Sequence, residues 1–430
     1  MLNIKKLYEL FQANPEIITD SRKAKSNSIF FALKGSRYDG NLFAEQAIKN
    51  GCTIAICDYK SVIRNDKYIY VKNTLKTLQE LAAYHRKVIN IPVISITGTN
   101  GKTTTKELIR EVLSKKYKIF ATRGNLNNHI GVPLSLLSIK KNTEIGIIEM
   151  GANHTGEIDA LCKIAAPNYG IITNIGKAHL EGFGTIEGIL NAKTEMYKYL
   201  NKKGIVFVNS GNHLLLSKLN GFNGEVIKYG INDNDFVKGE IINNDFFVNG
   251  KIIFFPDSEI IIKSKLFGAY NFENILTAAC IGKYFKVNAN EIKNAIENYN
   301  PDNNRSQVIY TKKNTLLLDA YNANPSSMEK ALTFFNNLKI ERKIIILGDM
   351  LELGNASVEE HENIIKELKV NNKVIVYLIG KQFTQCLSSY NTFKDVEEFT
   401  SYIKNNEIKG YTILIKGSRG MQLEKLVDYL

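Results

Sequence analysis

The sequence lacks the features that mark secreted, membrane-bound or repetitive proteins. Its five cysteines (Cys52, Cys57, Cys162, Cys280 and Cys386) are odd in number, scattered, and never form a C-x-x-C pair. That excludes a disulfide framework and a zinc ribbon, and reads as the reduced core thiols of a cytoplasmic protein. The opening residues, Met1 to Lys6, lead into an amphipathic segment with no signal-peptide core, and no apolar run is long enough to span a bilayer. Proline occurs only seven times, with no low-complexity linker and no internal repeat. Acidic residues are in deficit, 43 against 56 Lys and Arg, a net charge of +13. The basic residues are dispersed, without a long basic run or an aromatic-interleaved stripe. The charge therefore suits anionic small substrates rather than a nucleic acid. No Asn-Lys-x-Asp guanine motif is present either, which removes the GTPase switches.

What is there is an ordinary globular composition, 44% hydrophobic and 23% charged, on a chain of 430 residues, enough for two to four domains with ample core. Its most informative stretch is Val93-Ile94-Ser95-Ile96-Thr97-Gly98-Thr99-Asn100-Gly101-Lys102-Thr103-Thr104. A β-branched run ends in two glycines, a lysine and hydroxyl residues, and Leu108, Ile109, Val112 and Leu113 then recur at helical spacing. Strand, tight loop and helix start make a phosphate site. Gly98 and Gly101 let the backbone come close, free N–H groups and the helix dipole face the anion, Lys102 adds a point charge, and the Thr103 hydroxyl can hold Mg²⁺. The glycines are three residues apart, with Ile96 in the usual first-glycine slot, so this is a short variant of the phosphate loop.

Alternating apolar strands and helical patterns predict an α/β protein of three domains. Residues 1–85 hold a strand at 28–33, a loop from Lys34 to Asn41, a strand at 53–57 and a helix capped by Asn73. Residues 86–305 form the central phosphate-loop domain, with strands at 145–150, 169–174 and 205–208 and helices at 158–165 and 186–200. Crossovers of this kind give a mostly parallel sheet. Val248-Asn249-Gly250-Lys251 reads as a hairpin turn within a small antiparallel patch. Residues 306–430 form a Rossmann-like α/β domain with strands at 315–319, 343–347, 374–379 and 411–415, apolar throughout and so buried on both faces.

Functional groups in such sheets sit at the carboxyl ends of strands. Glu149 closes one strand, His179 follows another, and Thr103 lies in the phosphate loop; together they can share Mg²⁺ with a triphosphate. Taken singly, a Glu or His at such places is as readily a cap or a buried hydrogen-bonded side chain. Thr19-Asp20-Ser21-Arg22 can hold a diphosphate or uracil, or be a surface turn. The amide-rich loop Asn125 to Pro133 and the loop from Met150 to Glu157 are open to turn or substrate-contact readings. Lys193 reads as an exposed lysine on an amphipathic helix. Arg305 and Asp319 flank a domain junction, where an arginine can neutralise a γ-phosphate and an aspartate can hold a ribose hydroxyl, or the two can form salt bridges.

These segments together resemble the Mur ligases of peptidoglycan synthesis. Thr97 to Thr104 is similar to their ATP loop, Thr173-Asn174-Ile175-Gly176-x-Ala178-His179-Leu180-Glu181 and Ala192-Lys193-x-Glu195 to two further motifs. Asp319-Ala320-Tyr321-Asn322-Ala323-Asn324-Pro325-Ser326-Ser327-Met328, Glu149-Met150-Gly151-Ala152, Leu347-Gly348-Asp349-Met350-x-Glu352-Leu353-Gly354 and Lys416-Gly417-Ser418-Arg419 resemble the branch that adds D-alanyl-D-alanine to UDP-N-acetylmuramoyl-tripeptide. The resemblance implies an ATP-dependent amide ligase, cytoplasmic and monomeric. The first domain holds the UDP end, the second ATP, and the third closes over the site. It implies Lys102, Glu149, His179, Lys193 and Arg305 as catalytic. ATP contacts are Gly98, Thr99, Asn100, Gly101, Lys102, Thr103, Thr104, Asn271, Asn274, Arg305 and Asp319. Thr103, Glu149, His179 and Lys193 serve two Mg²⁺ ions, Lys193 as a carbamate. Substrate contacts are Ser21, Arg22, Asn128, Asn322, Asn324 and Lys416. The chain departs from the family pattern at Tyr270, which precedes Asn271 where histidine is usual, at Asn41, also a histidine position, and at Asn304, a glycine position. Sister ligases that add one amino acid, folylpolyglutamate synthases and a non-catalytic muropeptide-binding regulator are the alternatives.

Overall fold

The computed structural model describes residues 3–36, 38–243, 246–256, 258–302, 304–368 and 374–430. Arg37 of the predicted 34–41 loop lies outside them. Three sheets organise the chain, each with side chains packed on both faces. The first has four parallel strands in chain order, Glu16–Ile18, Ser28–Phe31, Ile54–Cys57 and Tyr68–Tyr70. Alternation along them splits the core: Ile29, Phe31, Ile54 and Ile56 face one layer, while Phe30, Ala55 and Cys57 face the other.

The central sheet has nine strands. Val93–Thr97 lies inside it, with Ile145–Glu149 and Ile119–Ala121 on one side and Tyr169–Ile172, Ile205–Asn209 and Glu225–Gly230 on the other, all parallel. Val237–Asn243 continues it in parallel, and Phe247–Phe254 and Ser258–Phe267 close it antiparallel. Ile94, Ile96, Ile147 and Ile171 pack under the Lys102–Leu113, Tyr270–Tyr284 and Ala289–Asn298 helices. Val93, Ile148 and Ile172 pack under helices of the opposite layer, among them Glu157–Ala165 and Thr74–Ile89. Strand order reverses beside Val93–Thr97, so the crevice at its carboxyl end is where such a sheet binds ligands.

The third sheet runs Gln307–Tyr310, Thr315–Asp319, Thr412–Lys416, Lys343–Gly348, Ile375–Ile379 and Asn391–Phe393, parallel except for its first strand. Leu317, Ile345, Leu347 and Leu414 meet the Pro325–Asn337 and Ser357–Leu368 helices on one face. Leu316, Leu318, Ile344, Ile346, Ile413 and Ile415 meet the Val396–Asn405 helix on the other. The expected double burial of these strands is what their continuous apolar runs produce.

Two local expectations are corrected. Asn249-Gly250 is no turn: it lies inside Phe247–Phe254, where Gly250 pairs with Ile241 and Ile262 on its two sides. The glycine answers to packing, because a Cβ there would lie 2.3 Å from the Phe272 ring. The antiparallel patch itself is present. The helix expected over 186–200 is broken into Ile186–Lys193 and Glu195–Leu200. At the break the Thr194 hydroxyl donates back to Leu190 O at 2.8 Å, competing with the helical ladder.

The helix Thr74–Ile89 joins the first two sheets. Asn73 caps it by accepting from Lys76 N, and Leu78 and Leu81 lie in one core with Leu7 and Ile29 of the first unit and Val132 and Ile158 of the second. Near its end Arg86, 5% exposed, donates to Ala165 O at 2.9 Å, Ala166 O at 3.0 Å and Asn168 Oδ1 at 3.1 Å. Arg86→Leu leaves Ala165 O, Ala166 O and Asn168 Oδ1 without that buried donor, a cost of about 3 kcal/mol. The expected outcome is a calorimetric unfolding midpoint lowered by several degrees; an unchanged midpoint contradicts the role of this anchor.

Candidate active site

The loop after Val93–Thr97 is shaped by its glycines. Gly98 has φ 142°, and a Cβ there would sit 2.0 Å from Thr173 Oγ1; Gly101 has φ 80°, and its Cβ would sit 2.5 Å from Asn274 Oδ1. Both positions need glycine for conformation and for space. Neighbouring segments then fix the loop. Thr99 N donates to Asn174 O at 2.9 Å, Asn100 N to Asn174 Oδ1 at 3.0 Å, and the Thr173 hydroxyl to Asn100 O at 2.6 Å. Lys102 folds back over the loop and donates to Gly98 O at 2.7 Å and Thr99 O at 3.0 Å. Burial pushes its ammonium down to about 8; Glu149 pulls the other way and Arg305 adds to the fall.

A cleft of about 860 Å³ opens from this loop. Its walls carry Thr99, Asn100, Gly101, Lys102, Thr103, Thr104, Asn128, Glu149, His179, Asn271, Asn274, Arg305, Asp319, Asn322, Asn324 and Lys416. Residues drawn from both the second and third domains thus meet in one place. Glu149 is 2% exposed at the end of its strand; its Oε2 accepts from the Thr103 hydroxyl at 3.0 Å and its Oε1 from Asn127 Nδ2 at 2.9 Å. Asn274 accepts from the Thr105 hydroxyl at 3.0 Å and donates to Asn271 Oδ1 at 2.8 Å, and Asn271 donates to Ser306 Oγ at 3.0 Å. Asp319 pairs with Lys416 at 2.5 Å. Asn128 Oδ1 accepts from Ile130 N and Gly131 N, so the turn reading of that loop holds while the residue also faces the cleft.

The remaining expected residues stand apart from the cleft wall. Gly98 lies at the root of the loop. Ser21 and Arg22 lie on the first domain, where Arg22 is engaged by Asp20 at 2.8 Å and Ser21 O accepts from Asn50. Lys193 corrects the reading of an exposed lysine: it is 2% exposed, with its Nζ 5.7 Å from the Phe183 ring centre. Burial, reinforced by the charge of Lys102, holds it well below the ordinary lysine range.

Other side chains joined the site without being expected there. Glu352, in a left-handed backbone at φ 65°, brings Oε2 to 2.6 Å from His179 Nδ1. That contact holds its carboxyl below the usual range. Asn127 orients Glu149, and Lys106, 1% exposed, lies 3.8 Å behind it. The Tyr321 ring has the guanidiniums of two arginines, Arg305 and Arg419, within 5.1 Å of its centre. Glu352 stands four residues after the Lys343–Gly348 strand, the strand-end rule that pointed to Glu149; the partners of Asn127 and Tyr321 are non-local and left no mark in the sequence. Third-domain side chains also reach across: Asn324 Nδ2 donates to Asn100 Oδ1 at 2.8 Å, Lys177 N to Ser326 Oγ at 2.7 Å, and Lys177 pairs with Glu360 at 2.8 Å.

The donor set around Thr103 and Glu149 consists of hard oxygens, which suit Mg²⁺. Among the described residues no group of three or more acidic, imidazole or thiol side chains is arranged to hold a metal ion. An ion here needs the oxygens of a bound phosphate to complete its shell. Among the described residues no helix is long and apolar enough to cross a membrane, and all five cysteines are free and buried.

Known proteins resemble the chain in sequence and in fold. Residues 16–98 match the family model "Mur ligase family, catalytic domain", residues 96–282 the Mur ligase middle domain, and residues 304–419 the "Mur ligase, glutamate ligase domain". The chain is 33% identical, over all of its length and 97% of the relative, to the UDP-N-acetylmuramoyl-tripeptide–D-alanyl-D-alanine ligase of Bacillus subtilis. It is 34% identical to the same ligase of Rickettsia prowazekii, over 96% of this chain and 94% of that one. Among solved structures, MurF from Acinetobacter baumannii superposes with a TM-score of 0.88 at 29% identity, over 98% of this chain and 97% of that chain. MurF ligase from Thermotoga maritima in complex with ADP gives 0.85 at 26%, over 100% and 98%. With its three sheets, its phosphate loop and its full length so matched, the chain belongs to the Mur ligase family.

Proposed function

We propose that the chain is an ATP-dependent ligase that joins D-alanyl-D-alanine to UDP-N-acetylmuramoyl-tripeptide in the cytoplasmic assembly of peptidoglycan precursors. Residues 1–85 take the UDP end, 86–305 the ATP, and 306–430 close over both. One observation carries the reading: Lys102, Thr103 and Glu149 of the central sheet share a single cleft with Asn322, Asn324 and Lys416 of the third domain. Full-length identity to ligases of this name supports the choice of substrates.

The chemistry follows from the groups present. A carboxylate oxygen of the tripeptide attacks the γ-phosphorus of ATP, the bond to ADP breaks, and an acyl phosphate forms. The dipeptide amine then attacks the acyl carbon, loses a proton, and expels phosphate. Both steps crowd anions together, so Lys102 and Arg305 neutralise the phosphates. Thr103, Glu149 and His179 are the residues that would hold Mg²⁺, which supplies charge neutralisation and orientation of the triphosphate. Lys193 fits a carbamate, because burial holds its amine well below the ordinary lysine range and so favours the neutral form that reacts with CO₂, and the resulting anion suits a metal site. Contacts such as Asn324 with Asn100 keep the third domain over the cleft and water away from the acyl phosphate.

An assay of phosphate release from ATP with defined UDP-muramoyl-tripeptides tests the assignment. D-alanyl-D-alanine should sustain turnover, and single amino acids should not; turnover with a single amino acid and none with the dipeptide overturns it. The second expectation concerns Lys102. Below about pH 8 it is already an ammonium, and above that it is neutral in the free protein. A triphosphate favours the ammonium, so binding above pH 8 must draw a proton from solution, and affinity falls as pH rises. Calorimetry of ATP binding in two buffers of different ionisation enthalpy should show proton uptake at pH 9 and little at pH 7. Equal uptake at both contradicts the placement of Lys102 against the phosphates.

A further inference from the structure

The cleft contains more cations than its acids neutralise. Lys416 is paired with Asp319 at 2.5 Å, and Lys102 and Arg305 border the phosphate loop. Arg419 is left over. Among the described residues neither Arg305 nor Arg419 has a carboxylate partner, and the Nε of Arg305 is buried without a hydrogen-bond partner.

Both guanidiniums are instead placed by one phenol. The Cζ of Arg305 lies 3.7 Å from the centre of the Tyr321 ring and the Cζ of Arg419 lies 5.1 Å from it. Arg419 Nη1 also donates to the Tyr321 hydroxyl at 3.2 Å. Arg305 lies at the domain junction just before Gln307–Tyr310 and Arg419 just after Thr412–Lys416, so one ring gathers two cations that reach the cleft from segments far apart in the chain. Like charges are costly to hold so close without anions, and this pair is built to meet two. Lys330, on the same wall, has nothing comparable fixing it. Arg419 is exposed, so its fork is open to a ligand; the ring and the hydroxyl orient it, and that fork matches a carboxylate.

We propose that Arg419 is the anchor for the terminal carboxylate of the acceptor dipeptide, and that Tyr321 is the positioning residue that sets Arg419 apart from the phosphate-facing Arg305. The inference rests on the ligase reading above. Arg305 faces the phosphoryl group and Arg419 the only anionic group the acceptor carries. The acceptor amine is thereby directed toward the acyl phosphate, and an acceptor without a free carboxylate is refused.

The test compares D-alanyl-D-alanine with its C-terminal amide in wild type, Arg419→Ala and Tyr321→Phe, following phosphate release. In wild type the amide should show a KM higher by roughly 10- to 100-fold, the range a charge-assisted hydrogen-bonded pair commands. In Arg419→Ala the two acceptors should become alike, because KM for the dipeptide rises while KM for ATP and for the UDP-tripeptide stays put. Tyr321→Phe keeps the ring but removes the hydroxyl, and should narrow the gap by a smaller factor. Discrimination preserved in Arg419→Ala overturns the anchor while leaving the ligase reading standing. A preserved gap in Tyr321→Phe overturns the positioning role. A wild type that turns over neither acceptor overturns both the anchor and the ligase reading.

Discussion

The phosphate turn between Val93–Thr97 and Lys102–Leu113 is the constraint on which the rest depends, and it cannot hold itself in place. Two glycines occupy left-handed backbone, and Lys102 rests on the carbonyls of its own loop. What fixes the turn comes from outside it. Thr173 and Asn174 bond it from the adjoining strand end, Asn274 closes over Gly101, and Asn324 reaches it from the third domain. The nucleotide site is therefore a property of two domains together. The Asn324–Asn100 contact makes a third-domain side chain part of the loop's support.

Electrostatics gives the same cleft its direction. Glu149 is the acid at the closed end, held by a hydroxyl and an amide, with the buried ammonium of Lys106 3.8 Å behind it. Lys102 stands near it, its ammonium weakened by burial and by Arg305. Cations short of partners and a carboxylate tied to a hydroxyl suit a triphosphate, whose anionic oxygens relieve the repulsion among those cations. Lys193 lies deeper still, an amine too buried to be a comfortable cation.

How much of this the sequence disclosed follows from how local each feature is. The phosphate loop was legible because strand, glycines, lysine and helix are contiguous. The doubly buried strands of the third domain were legible because continuous apolar runs such as Lys343–Gly348 admit few other environments. Glu149 was found by its place at a strand end. Features that depend on distant partners were not. The burial of Lys193 is set by the broken helix and by Phe183, neither of which alters an amphipathic pattern. Asn249-Gly250 has the composition of a turn, yet Phe272 on a later helix requires the glycine in mid-strand. The pairing of His179 with Glu352 joins loops of different domains. Motif resemblance pointed at those segments, but only the fold shows which side chains meet.

The central claim is that the cleft activates a carboxyl group through its own phosphorylation. It is tested most directly by following an oxygen atom. The UDP-muramoyl-tripeptide labelled with ¹⁸O in the reacting carboxyl is turned over with ATP and D-alanyl-D-alanine, and the released phosphate is examined by ³¹P NMR. Passage through an acyl phosphate carries one labelled oxygen into each phosphate as the amide forms. Amide formation with unlabelled phosphate would contradict it.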